Sequence, residues 1–185
     1  MAKVSNGNHS SSGEVNFKED GVSGICVMDL SLFHNNTDND LYFDFLEDYT
    51  MEQLKMIIRR KLINDPYIHL HNLLFGSVNN KLLGYFNKGY PNVRVDRLDS
   101  SVLDSYLLQF KAFHLTITGV YERKTAHVLK GGIKLEQLSM FESNDYPNMY
   151  LCGEVLDVAG ICGGYNLWFA FTTGIVVAEI INGRC

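Results

Sequence analysis

The hydrophobic period of this chain changes twice. Before residue 48 and after residue 112, short apolar runs alternate with polar residues at the two-residue period of strands. Between them, residues 50–112 place apolar residues every three or four positions, the spacing of amphipathic helices. The arrangement predicts an α+β fold. β-rich, barrel-like strands over 1–48 and 113–148 would carry a small helical bundle inserted at 49–112. Residues 149–185 would form a separate strand-loop-helix piece.

Local signals fill in that outline. Short strands are expected at 2–4 and 14–17, around the polar turn region NGNHSSSG, with a glycine-bounded turn at 20–24. Residues 25–33 read as a short helix, 34–40 as a polar loop and 41–45 as a strand. Thr50 with Gln53 three residues later makes a capping box, and Met51, Leu54, Ile57, Ile58 and Leu62 follow on one helical face. Pro66 ends that helix. A short helix over 68–75 follows, then one capped by Ser77 and closed by Gly89, then one capped by Asp99 or Ser100. After 112 a hairpin is expected, pairing 114–119 with 126–129.

Composition narrows the function classes. Hydrophobic residues make up 46% of the 185 and charged residues 20%, enough to bury a core. A net charge of -5 argues against nucleic acid or an anionic membrane as partner. The polar start MAKVSNGNHSSSGE carries no secretory pattern. The longest apolar run, Leu167 to Ile181, is interrupted by Thr172, Thr173, Gly174 and Glu179 and is too short to span a bilayer. A cytoplasmic protein is expected. Cys26, Cys152, Cys162 and Cys185 form no CxxC pair or zinc spacing and read as free thiols.

The chemistry concentrates in MYLCGEVLDVAGICGGYNLWFAFTTGI, residues 149–175. An apolar strand from Met149 to Cys152 enters Gly153-Glu154, and Asp157 and Gly160 follow in a loop. Gly163-Gly164-Tyr165-Asn166 then opens an apolar helix. A helix N-terminus offers unpaired amides and partial positive charge, and glycines let a ligand approach it closely. Glu154 or Asp157 is placed to accept hydrogen bonds from sugar hydroxyls. Spacing alone leaves a ligand-facing turn and a plain strand-to-helix connection equally open. Gly131-Gly132 reads first as a strand-ending turn, and neighbouring Lys130 as a solvated cation or a phosphate contact. His69 and His71 point to different helix faces, and His114 with His127 would form a structural cross-strand pair. No metal site and no catalytic acid or base is assigned.

These residues resemble a known family. CGEVLDVAGICGGYNLWFAFTTG is similar to the C-terminal signature of the NAD(P)/FAD-dependent flavoproteins that include BaiN-like bile-acid enzymes and aminoacetone oxidase. Gly13-Glu14-Val15-Asn16-Phe17 with Gly21-Val22-Ser23-Gly24 resembles an earlier family segment. So does Leu115-Thr116-Ile117-Thr118-Gly119 leading to Gly131-Gly132-Ile133. Ser143 falls where the family has a serine. The resemblance implies an FAD-dependent oxidoreductase with a Rossmann-like FAD domain, a barrel-like domain and a helical insertion. This chain matches its second half, and 149–185 would belong to the FAD domain. Gly153, Glu154 and Asp157 would lie near the ribityl and pyrophosphate groups. Gly163, Gly164, Tyr165 and Asn166 would meet the isoalloxazine, with Gly131 and Gly132 passing close to it. Trp168, Lys18 and Lys130 depart from the family pattern.

The GxGxxG segment that would hold the ADP portion of FAD is absent from this sequence. The chain alone is therefore expected to bind FAD weakly or not at all, with NAD(P)H as a possible reductant. A separate FAD-binding chain, or self-association through the apolar face of 149–181, would complete it. The alternative is a truncated, non-catalytic remnant or interaction module that binds no flavin.

Overall fold

The computed structural model describes residues 1–34 and 38–183. Asn35, Asn36 and Thr37 of the polar loop, and Cys185 among the thiols, lie outside the described residues. The chain divides into two compact units: residues 1–30 with 35–117, and 31–34 with 118–185. Residues 118–148 thus group with the C-terminal segment rather than with the first strands.

In the first unit, β1 (Ala2–Asn6) and β2 (His9–Gly13) form a hairpin around Gly7. β3 (Asn16–Lys18) and β4 (Gly21–Ser23) form a second, smaller one. Two sequence expectations are corrected here. The polar run His9 to Gly13 is itself a strand, because β1 supplies its hydrogen-bond partners, and 21–23 is a strand rather than a turn. The helix α1 (Ile25–Ser31) follows, then β5 (Asp40–Asp44) and, after the helical block, β6 (Phe113–Thr116). The main sheet runs β2-β1-β5-β6, antiparallel throughout, with Val4 opposite Phe43 and Leu41 opposite Leu115. Among the described residues it is an open α+β sheet and not a closed barrel. β6 finds its partner in β5. The expected hairpin with 126–129 does not form, and His114 bonds Asp40 (2.6 Å) instead of facing His127.

The helical block holds α2 (Met51–Asn64), α3 (Asn80–Asn87) and α4 (Ser100–Lys111). Thr50 and Gln53 form the capping box that the sequence predicts. The cap of α3 is Asn79, whose side-chain Oδ1 accepts the Lys81 amide at 2.9 Å, rather than Ser77. Residues 68–75 tighten to a single 3-10 turn, Leu70–Asn72. Leu54, Ile58, Leu70, Leu73, Leu83, Phe86, Tyr106, Leu107 and Phe110 fill one core. Val4, Cys26, Leu30, Leu41 and Phe43 fill another under the sheet. Phe45 and Phe113 pack against both, which ties the helices to the sheet. Tyr106 is wholly buried and donates its hydroxyl proton to Asn87 Oδ1 (2.9 Å). Burial pushes its phenol well above the ordinary value.

The second unit has little regular structure before its long helix. β7 (Leu138–Ser139) and β8 (Glu142–Ser143) make a tight hairpin, with Met140 and Phe141 in the left-handed region. Ser143 Oγ accepts the Asp145 and Tyr146 amides (both 3.3 Å) and so shapes the following turn. Residues 149–152 form only an isolated bridge, Tyr150 to Glu142, where the sequence predicted a strand. The helix α5 (Tyr165–Ile181) closes the unit.

Candidate functional site

Three predicted segments of the second unit are joined by hydrogen bonds. Residues 129–133 run beside 153–157, meeting in a single parallel bridge between Ile133 and Leu156. The Ile133 amide donates to Val155 O (2.9 Å) and the Asp157 amide to Ile133 O (2.8 Å). Both acids of the second segment hold the first. Glu154 Oε1 accepts the Leu129 amide (3.3 Å) and Asp157 Oδ1 accepts the Gly131 amide (3.1 Å). In this structure these carboxylates position backbone. Leu156, between them, is buried and anchors the pair.

The glycines divide by what surrounds them. At Gly132 (φ +135°) a side chain would place Cβ 2.4 Å from the Val155 carbonyl oxygen, so the bridge itself requires glycine. At Gly131 (φ +106°) and Gly164 (φ +87°) a Cβ would meet nothing within 4 Å. Neighbouring atoms leave those two positions open, and only backbone conformation favours glycine there. Lys130, read as a solvated cation or phosphate contact, donates to the Leu32 carbonyl (2.8 Å).

Gly153 is buried against α5. Its amide donates to Thr173 Oγ1 (2.9 Å), and its Cβ position would sit 3.6 Å from Ala170 Cβ. Thr173 in turn donates to Phe169 O (2.8 Å), the usual outlet for a threonine hydroxyl inside a helix. The loop before α5 is closed by a reciprocal pair. The Gly160 amide donates to Asn166 Oδ1 (2.8 Å), and Asn166 Nδ2 donates to Gly160 O (2.9 Å). Tyr165 packs on this loop, its ring 3.1 Å from where a Gly163 Cβ would lie. Gly164 is the N-cap in left-handed conformation, and no side chain caps the first turn. A helix start fixed in this way presents its positive end to an incoming anion or carbonyl.

Sequence reasoning missed Thr173 and Ala170 as the residues that seat Gly153. A hydroxyl inside an otherwise apolar helix was the available signal. Upstream, Tyr150 bonds Glu142 Oε2 (3.3 Å), and desolvation with that carboxylate raises its phenol pKa. Among the described residues no group of three or more metal-ligating side chains converges. No helix of the described residues is long and apolar enough to cross a membrane.

α5 exposes much apolar surface. Trp168 is 68% exposed and Phe171 73%, with Leu167 and Ile175 similarly open, while Thr173 and Val177 are buried. A helix apolar on every side belongs to an interior.

A family model described as the HI0933-like protein barrel and H2TH domain matches residues 1–128. Among curated proteins, the chain is 28% identical to a 3-dehydro-bile acid delta(4,6)-reductase of Clostridium scindens, over 93% of this chain and 44% of that protein. It is 28% identical to a ribosomal RNA dihydrouridine synthase of Haemophilus influenzae, over 90% of this chain and 41% of the relative. For the Escherichia coli protein of the same name the identity is 27%, over 88% and 41%. The chain thus spans less than half the length of these relatives. It belongs to the HI0933-like family, a flavoprotein oxidoreductase-like family of the kind its ordered motifs resemble.

Proposed function

We propose that the chain supplies the isoalloxazine-facing half of an FAD site in a reductase that saturates a carbon–carbon double bond conjugated to a carbonyl. The two relatives' names describe that same bond change, in a bile acid and in a uridine. When bound, the flavin would supply the hydride. The observation that carries the reading is the pair of open glycines. Gly131 is held by Asp157, and Gly164 caps an apolar helix, and no neighbouring atom occupies the Cβ space of either. That fits backbone laid against a flat ligand. The α5 N-terminus would stabilise negative charge on the reduced ring. Glu154 and Asp157 would act as positioning residues for 129–133. Gly132 and Gly153 would hold the bridge, and Tyr165 and Asn166 the loop.

A chain carrying the dinucleotide-binding half would contribute the adenosine contacts. The chain alone is then expected to bind FAD weakly but saturably. Trp168 is the sole tryptophan and sits in the first turn of α5, so its emission reports on the site. Titration of FAD, corrected for inner-filter absorption, should quench Trp168 emission to a plateau. Gly164→Val should remove the plateau, because it fills the open space and strains the left-handed cap. Quenching that never saturates, or that Gly164→Val leaves intact, rejects the proposal.

The exposed face of α5 favours a second reading, an interaction module without flavin. Under it, α5 pairs with another chain or a second copy, and FAD leaves Trp168 emission unchanged.

A further inference from the structure

The helix α2 carries two apolar faces. Leu54 and Ile58 are buried in the core of the helical block. On the opposite side Met56 is 51% exposed and Ile63 79%. At 3.6 residues per turn, Met56 stands about 160° from Leu54 and from Ile58, while Glu52, Arg60 and Ile63 fall within about 40° of it. Tyr49, just before the helix, joins this outer side. It lines a shallow groove of about 210 Å³ together with Gln53, Met56, Ile57 and Arg60. A helix packed on one side ordinarily turns a polar face outward.

That outer face is complementary to itself. Tyr49 and Ile63 lie seven residues to either side of Met56. Glu52 and Gln53 stand toward the N-terminal end of the face, and Arg59 and Arg60 toward the C-terminal end. Both arginines are exposed and have no acid partner among the described residues. A second α2 laid antiparallel on the first, with the two-fold axis at Met56, brings each Met56 against its own copy and Tyr49 opposite Ile63. Glu52 and Arg59 share one side of the seam, and Gln53 and Arg60 the other. Each then comes level with its counterpart on the second copy to within about 1.5 Å, the rise of one residue. A patch that pairs with itself in this way is the signature of a two-fold, isologous interface.

We infer that two copies of this chain associate through the outer face of α2, antiparallel, with Met56 on the two-fold axis and Glu52 of each copy paired with Arg59 of the other. Gln53 bonds the partner's Arg60, and Tyr49 packs on the partner's Ile63. Charge sets the orientation. In a parallel pair Arg59 and Arg60 would face their own copies, and like charges across an interface are strongly disfavoured. This surface belongs to the first unit of the chain, whereas α5 belongs to the second.

Sedimentation velocity of the full chain without flavin, over a concentration series, tests this apart from the flavin proposal. The parent should dimerise reversibly. Glu52→Arg sets two cations against each other across the interface, and Arg59→Glu sets two carboxylates there. Each variant alone should dimerise at least about tenfold more weakly. An equimolar mixture of the two restores both ion pairs and should dimerise like the parent. Met56→Glu leaves those charges in place, puts two carboxylates on the axis, and should also weaken dimerisation at least about tenfold. Circular dichroism establishes that the variants fold. A parent that stays monomeric at its highest soluble concentration overturns the inference. So does association of equal strength in the parent and all three variants, as pairing through α5 would give, or a mixture no more associated than its two components.

Discussion

At the residue scale, neighbouring glycines do different work. Gly132 is fixed by the Val155 carbonyl at 2.4 Å from its Cβ position, whereas Gly131 faces open space. Gly132→Ala should therefore destabilise the second unit by about 2–3 kcal/mol, through clash and strained backbone together. Gly131→Ala carries backbone strain only and should cost about 1 kcal/mol, with a larger effect on flavin binding. Urea unfolding of both variants checks the ranking, and equal costs would remove the distinction. The sequence showed two adjacent glycines and read them as one turn. Their difference depends on a segment more than twenty residues later, which no local pattern encodes. Glu154 and Asp157 stood out in the sequence as acids following an apolar run. That they grip the amides of Leu129 and Gly131 was not legible there, because hydrogen bonds between distant segments leave no local trace.

At the element scale, reading succeeded where the signal was local. The capping box at Thr50, the face of α2 and the glycine entry to α5 all lie within one turn of chain. It failed for β2 and for the expected 114–119 hairpin, where pairing decides. Polar His9–Gly13 becomes a strand against β1, and β6 is claimed by β5. The seating of Gly153 on α5 is a further case of long-range choice. Thr173→Val keeps the volume but orphans the buried Gly153 amide, so it should cost about 1–3 kcal/mol. Thr173→Ser keeps the hydroxyl and should recover most of that loss. Thermal unfolding of the pair checks this, and a neutral Thr173→Val would mean that water replaces the hydroxyl. Because Gly153 leads into Glu154 and Asp157, the same substitution should also loosen 129–133, read as faster amide exchange at Gly131.

At the scale of the whole molecule, the chain divides into two compact units. The first sets a helical block on an open antiparallel sheet, and the second sets glycine turns against an apolar helix. Family membership was legible in ordered motifs that span both. The exposed apolar side of α5 accords with a chain that spans less than half of its relatives' length. The central claim is that the turn at Gly131 and the helix start at Gly164 form one flavin-facing surface. The most direct test is a 1H–15N spectrum of the labelled chain titrated with FMN, which carries the isoalloxazine and ribityl phosphate without the adenosine. The account predicts that the amides of Gly131, Gly132, Gly164, Tyr165 and Asn166 shift together along one saturating curve. Shifts at only one of the two turns, or at neither, would contradict it.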